Sequence, residues 1–296
     1  MLIRLATGSY ALEERIQLDG SLTVSELTIS ADGDASISGP SQSSSRQLSG
    51  TDDGGLGGTP LLEINTLDQV RINLHGVVFE HSLNGPAIAV RGGQVWIDGC
   101  AFVRNEHSGA LRVLGGTVRI SNSRFEANSF LDGDGGALDA TNGTLSLLNA
   151  TFRANRAQRG GALHVSGAAT RVNILHSQFT GNVATREGGA VAVDAATVTL
   201  GNQTSLVRNT APVGASVTLH TGLAAYVLPA PLGHWIASTF TCRWYREQCP
   251  TSDAHCVASL QPLLPNQPCS LLHDQPQFDG SVLSLLSTGG LDEDFP

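Results

Sequence analysis

Three polar residues occupy the same place in consecutive repeats of this chain, and their types could support chemistry on a carbohydrate. Arg112, Asp139 and His164 each lie between two inward-facing residues that are two positions apart. In a polysaccharide-cleaving enzyme, Asp139 could act as acid or base and Arg112 could neutralise a uronate. The alternative is a solvated strand face on which opposite charges pair across neighbouring strands. We favour this second interpretation, because Ala89 and Ala192 end the polar column on either side.

A short acidic segment offers a second place for chemistry. Asp132 and Asp134, in Asp132-Gly133-Asp134-Gly135, could contribute to a calcium site or join Asp139 as acid and base, since hard cations prefer clustered oxygen ligands. An EF-hand loop would need a Glu where this chain has Gly143, so we favour a polar turn and treat both aspartates as weak metal candidates. The sequence contains no nucleophile elbow, zinc-protease motif or dinucleotide fingerprint, and we therefore expect no cofactor.

Two interleaved motifs repeat along the chain and define the elements that must position these residues. The first is Phe-x-x-Asn, and its spacing is 23 residues from Phe79 to Phe102 and 27 from Phe152 to Phe179. Its aromatic members are Phe79, Phe102, Phe125, Phe152 and Phe179, and its amide members are Asn105, Asn128, Asn155, Asn182 and Asn209. The second motif is Gly-Ala-aliphatic, with its clearest copies at Gly136, Gly161 and Gly189. Two motifs in constant phase indicate one repeating unit.

Alternation within the unit predicts which residues face inward. Apolar residues stand two apart after each Gly-Ala and again before each Phe, which is the period of a β-strand with one buried face. The residues between them vary freely and are expected to point outward, as do Trp96, Arg119, Ser146 and Asn173. A unit of this length with at least two short strands cannot bury its apolar face alone, so the coils must stack into a parallel solenoid.

Stacking assigns structural roles to the motif residues. Each Phe should join an internal aromatic column, and each Asn should join a ladder in which side-chain amides bond between neighbouring coils. The glycines should supply the backbone freedom that a tight corner requires.

The alternating Gly-Gly-Ala-Leu/Val and Phe-x-x-Asn motifs resemble the repeats of the chlamydial polymorphic outer membrane proteins and of the wider pectate-lyase-like β-helix proteins. The resemblance covers about residues 70–222. It implies an all-β, right-handed parallel β-helix and a surface-displayed, adhesive function. We therefore expect a non-enzymatic protein that takes part in adhesion or binds a glycan or a cell-surface protein. A polysaccharide lyase or glycoside hydrolase is the alternative.

Composition changes along the chain predict three regions. Residues 1–69 should form opening coils with a Ser- and Gly-rich loop over 40–60, and residues 70–222 the regular repeats. Residues 223–296 should form a small Pro- and Cys-containing extension that ends in an acidic tail. The net charge of -9 disfavours nucleic acid as a partner, and no apolar run is long enough to predict a membrane span.

Two further features favour an extracellular or cell-surface location. Asn142, Asn149 and Asn202 begin glycosylation sequons, although no signal segment is visible in the chain. Four of the five cysteines cluster near the C-terminus and predict two disulfides of undetermined connectivity, with zinc binding that involves His255 as the alternative; they are Cys242, Cys249, Cys256 and Cys269.

Overall fold

The computed structural model describes residues 1–39, 58–83, 85–201, 204–226 and 269–270. All regular secondary structure in these ranges is β-strand. A search of the same residues finds no helical segment that could serve as a membrane span. The Ser- and Gly-rich residues 40–57, together with Cys242, Cys249, Cys256 and Asn202, lie outside the described residues.

Each central coil contains four short strands, at positions that we name a, b, c and d in chain order. Position a holds β1 (Leu2–Leu5), β4 (Glu26–Ala31), β7 (Arg71–His75), β10 (Gln94–Asp98), β13 (Thr117–Ser121), β17 (Thr144–Leu148) and β21 (Arg171–Leu175). Position b holds β2 (Gly8–Ala11), β5 (Ala35–Ser38), β8 (Val78–Glu80), β11 (Ala101–Val103), β14 (Arg124–Glu126), β18 (Thr151–Arg153), β22 (Gln178–Thr180) and β25 (Ser205–Val207).

The two remaining positions complete the coil. Position c holds β15 (Ser129–Asp134), β19 (Arg156–Arg159) and β23 (Val183–Glu187). Position d holds β3 (Ile16–Asp19), β6 (Leu62–Asn65), β9 (Ile88–Gly92), β12 (Leu111–Val113), β16 (Leu138–Ala140) and β20 (Leu163–Ser166). Two longer strands pass from position d into the next position a, namely β24 (Val191–Leu200) and β26 (Val217–Tyr226). A two-residue strand, β27 (Cys269–Ser270), pairs with β26 in the antiparallel direction.

The coils stack in parallel and in register. Positions a and d form one 16-stranded sheet, because β24 runs through both, while position b forms an eight-stranded sheet and position c a three-stranded one. The opening strands β1 to β5 already pair with the regular coils in the same sheets. The prediction of an all-β parallel β-helix is therefore confirmed, with more strands per coil than the two that alternation alone indicates.

An aromatic column and an amide ladder run through the interior. Phe79, Phe102, Phe125, Phe152 and Phe179 are fully buried, and successive rings stack with centroids 4.6–5.3 Å apart. At the corner between positions b and c, Asn128 donates to the side-chain oxygen of Asn155 at 3.0 Å and to the backbone oxygen of Phe102 at 3.0 Å. The same pattern recurs from Asn105 to Asn209, so the ladder satisfies the buried polar groups of each corner.

The corner between positions c and d depends on paired glycines. Gly160 has a φ of +59°, which a residue with a side chain rarely adopts. A Cβ atom at Gly160 would overlap the backbone oxygen of Leu163, and one at Gly161 would overlap the backbone of Gly189 in the next coil. The first glycine is therefore required by conformation and the second by the close approach of neighbouring coils.

We predict that Phe152→Ala lowers the free energy of unfolding by about 3–5 kcal/mol, because a ring held between two stacked neighbours leaves a cavity that the coil cannot close. Phe152 lies 4.7 Å from the ring of Phe125 and 4.6 Å from that of Phe179. Denaturant unfolding measures the change. Leu148→Ala, at a side chain that is 44% exposed, is the control and should have little effect. A loss below about 1 kcal/mol for Phe152→Ala would contradict a packed central column.

Candidate functional site

Two outer surfaces of the β-helix carry polar side chains in a defined arrangement. One lies at the corner between positions c and d and contains eight ionisable residues, which we call the charge cluster: Arg112, Asp134, Asp139, Arg159, His164, Glu187, Asp194 and His220. The other lies on the outward face of position a, which we call the position-a face.

The position-d column forms the centre of the charge cluster. Arg112 is on β12, Asp139 on β16 and His164 on β20, and the three are direct neighbours in the parallel register. Nε of Arg112 donates to Oδ2 of Asp139 at 3.1 Å, while Nδ1 of His164 lies 2.7 Å from Oδ1 of the same carboxylate. The guanidinium of Arg112 also lies over the ring of Phe130, 5.3 Å from its centroid. Asp139 is thus shared between two cationic neighbours.

The expectation that this column is solvated is wrong for Asp139 and His164. Asp139 and His164 are each only 5% exposed, and the side chain of Arg112 is 13% exposed. Their side chains point away from the interior of the helix, as the alternation predicts. The ring of Phe130, from position c, lies beside Arg112, and Asp194 contacts His164, so neighbouring side chains contribute to the burial of the column.

A second set of charges, from position c and from β24, extends the cluster. Arg159 on β19 forms ion pairs with Asp134 on β15, at 2.7 Å, and with Asp194 on β24. His164 contacts Asp194 through Nε2 at 3.4 Å, so Asp194 links the two sets. Glu187 on β23 lies 3.9 Å from Arg159 and 2.6 Å from Nε2 of His220. Each carboxylate of the cluster therefore has at least one cationic or ring-nitrogen partner.

The electrostatics of the cluster follow from these contacts. Burial lowers the pKa of His164, but its hydrogen bonds to Asp139 and Asp194 outweigh burial and raise the pKa to about 9. The hydrogen bond from His164 lowers the pKa of Asp194. The hydrogen bond to Asp134 raises the pKa of Arg159. At neutral pH His164 is an imidazolium that donates from both ring nitrogens.

The sequence motifs did not predict a role for Arg159, Glu187, Asp194 or His220. A signal for part of the set was present, since Asp134, Arg159 and Glu187 each directly precede a Gly-Gly-Ala corner. Asp132, the other weak metal candidate, is exposed in the segment where β15 is out of register with β19. Among the described residues no group of three or more His, Cys, Asp or Glu is arranged to hold a metal ion.

The position-a face carries an open groove of about 470 Å³ that crosses β13, β17, β21 and β24. Hydroxyl, amide and guanidinium groups line it, among them Thr117, Arg119, Ser146, Arg171, Asn173 and Thr199. No carboxylate occurs among the described residues that line the groove. On β10, which pairs with β13 at the edge of the groove, the ring of Trp96 lies between two guanidinium groups. The guanidinium of Arg71 lies 3.9 Å from the ring centroid and the guanidinium of Arg119 lies 5.5 Å from it.

Two predicted glycosylation sites lie on the surface. Asn142 and Asn149 are exposed and follow position d and position a, respectively. Nδ2 of Asn149 donates to Oδ1 of Asn122 at 2.9 Å, which forms a short exposed ladder at the corner between positions a and b. Cys269 is placed in β27, but the structure does not describe its side chain, so the predicted disulfides stay predictions.

Parallel coils with two continuous interior columns define this chain as a parallel β-solenoid. A family model described as "Right handed beta helix region" matches residues 62–210, half of the chain, and the chain belongs to this family. No curated protein and no solved structure matches the chain. The likeness to the chlamydial repeats thus stays a resemblance of motifs. The family contains both enzymes and non-enzymes, so membership assigns neither activity.

We predict that the stability of the protein falls as the pH rises through about 9, the pKa of His164 in the folded state. That pKa is above the unfolded value of 6.5, so the stabilisation is complete below pH 6.5 and is lost as the folded imidazolium deprotonates. The loss should be on the order of 3 kcal/mol. Urea unfolding at about pH 6 and about pH 10 measures it, with His164→Gln as control. An equal pH dependence in both proteins would contradict the assignment.

We also predict that Asp139→Ala combined with His164→Ala lowers the free energy of unfolding by more than about 2 kcal/mol, because both side chains are buried and their removal takes away the carboxylate that pairs with Arg112 and the imidazolium that contacts Asp194. Denaturant unfolding of the double variant measures the loss. Glu126→Ala combined with Arg153→Ala is the matched control, since this pair is exposed and its atoms lie 3.9 Å apart. Equal losses in the two double variants would show that the buried pair contributes no more to stability than an exposed ion pair.

Proposed function

We propose that this chain is a non-enzymatic, extracellular or surface-displayed β-helix that binds an extended glycan along its position-a face. The observation that carries the proposal is the open groove over four successive strands, lined by hydroxyl, amide and guanidinium groups. Such groups donate and accept the hydrogen bonds that fix sugar hydroxyls. A solenoid repeats these groups along its axis and so presents them to a ligand that is itself linear.

The groove also offers apolar surface beside its polar lining. Leu148 is 44% exposed, and it pairs in register with Leu175, which is half-buried at the edge of the same face. Sugar rings have apolar C–H faces as well as hydroxyl edges, and both kinds of surface are available here. The exposed Asn142 and Asn149 support the proposed extracellular location, since their sequons are accessible.

The charge cluster is the observation that favours the second candidate function, a carbohydrate-active enzyme. It brings Asp134, Asp139, Asp194 and Glu187 together with His164, and carboxylates of this kind serve glycosidases as acid, base or nucleophile. Each of these carboxylates, however, is already engaged by a cationic or ring-nitrogen partner of the chain. A substrate would have to displace these ion pairs, so we place ligand binding on the position-a face.

We predict that Asn173→Trp, which fills the middle of the groove, abolishes binding to a glycan that the wild-type protein retains. Asn173 is an exposed outward residue of β21, so a larger side chain there should not disturb the core. The matched control is Gln178→Trp on β22, which is exposed on the position-b face and should bind as wild type. Binding to immobilised neutral and acidic polysaccharides, with thermal unfolding to confirm folding, measures the effect.

The same samples separate the two candidate functions. The glycans are examined for new reducing ends and for unsaturated products after incubation. Cleavage that Asp139→Asn removes would identify the charge cluster as an active site and overturn the non-enzymatic proposal. Binding that both tryptophan variants retain would place the ligand elsewhere on the molecule.

A further inference from the structure

Three arginines on the position-a face lie on alternate coils. Arg71 is on β7, Arg119 on β13 and Arg171 on β21. Arg71 and Arg171 share one outward column, and Arg119 lies in the adjacent outward column. The intervening strands β10 and β17 place neutral residues in both columns. Since paired strands lie about 4.8 Å apart, successive arginines are separated by roughly 10 Å along the helix axis. From β7 to β21, every second strand of this face therefore carries an arginine.

The residues that β10 and β17 contribute to these two columns are neutral. On β10, Trp96 pairs in register with Arg119 and lies under the guanidinium of Arg71 at 3.9 Å. On β17, Ser146 pairs in register with both Arg119 and Asn173. Ser146 offers a small hydroxyl to an uncharged sugar, and Trp96 offers apolar ring surface beside the two guanidinium groups. The pattern along the axis is thus cation, neutral contact, cation, neutral contact, cation.

Arg119 and Arg171 have no carboxylate partner among the described residues. Arg171 donates to the backbone oxygen of Ala168 at 3.1 Å and lies 3.4 Å from the hydroxyl of Thr197, both of which are neutral acceptors. The contact that Arg119 makes is with the ring of Trp96. Arg71 differs, since Glu26 lies 3.9 Å from it. In a chain with a net charge of -9, this groove is a local exception in sign.

We propose that the position-a face binds a linear acidic glycan whose negative charges recur once in each disaccharide. The proposal rests on the glycan-binding function proposed above and specifies the ligand class. An extended disaccharide matches two coils in length, so each anionic group meets an arginine and each neutral sugar meets Trp96 or Ser146. Arginine suits this role because its planar guanidinium binds carboxylate or sulfate through two donors.

The spacing disfavours two other anionic polymers. A polyuronate with a carboxylate on every sugar would place every second charge on a coil whose own residues in these two columns are neutral. A single-stranded nucleic acid carries a phosphate at every nucleotide, so its charges recur more closely than arginines on alternate coils. Both polymers serve as comparisons in the test.

The test measures binding of the full chain, at low ionic strength, to single-stranded DNA and to three polysaccharides: hyaluronan, with a carboxylate on every second sugar; polygalacturonate, with one on every sugar; and a neutral β-glucan. Hyaluronan should bind most tightly, and its binding should weaken with added salt. Arg119→Gln and Arg171→Gln should each weaken hyaluronan binding about fivefold or more. Arg153→Gln is the matched control, since this side chain is 69% exposed on the position-b face, and it should bind as wild type.

The outcomes separate this inference from the function on which it rests. Equal affinity for hyaluronan and polygalacturonate, or no loss in the two arginine variants, overturns the charge spacing while glycan binding stands. Binding to the neutral glucan alone would also overturn the charge spacing, while glycan binding would stand. If none of the three polysaccharides binds, the proposed function falls together with the inference. Tighter binding of single-stranded DNA than of hyaluronan would overturn both.

Discussion

Register between coils is the constraint on which this structure depends. Each coil rests on the next at one strand spacing, so an inward side chain has the equivalent residue of the neighbouring coil as its closest partner. The stacked rings of Phe125 and Phe152, 4.7 Å apart, and the amide ladder through Asn128 and Asn155 are two forms of this requirement. The ladder also fixes the height of each coil, because an amide that is displaced along the axis would lose its donor and its acceptor together.

Outward residues need not match the equivalent residue of the next coil. The charged and polar columns of the chain consist of such residues. The column through Arg112, Asp139 and His164 changes residue type at every coil, and so does the column through Trp96 and Arg119. Neither column helps the coils to stack in the way that the Phe column does. Their residues can therefore be set by charge pairing in one case and, as we propose, by contact with a glycan in the other, while the scaffold beneath them is unchanged.

The sequence was sufficient to predict the β-helix scaffold but not the charge cluster. Alternation reports whether a side chain points toward or away from the interior, and it placed Asp139 outward. Burial of Asp139 depends instead on the path of position c, whose strands carry no regular alternation and shift in register between Phe130 and Asp134. The turn at this corner depends on Gly160 and its equivalents. A glycine in a sequence shows that a tight turn is possible there, but it does not predict the direction of that turn.

Burial has opposite consequences for ligand binding on the two outer surfaces. In the charge cluster, His164 lies between Asp139 and Asp194, and the cost of removing these charges from water is already offset by their mutual attraction. A ligand gains little there, because each new contact must replace an existing ion pair. On the position-a face, the guanidinium of Arg119 is stacked on Trp96 and retains donors for an anion, so a contact made there replaces only water. Of these two surfaces, the position-a face is therefore the one on which we expect binding to yield net free energy.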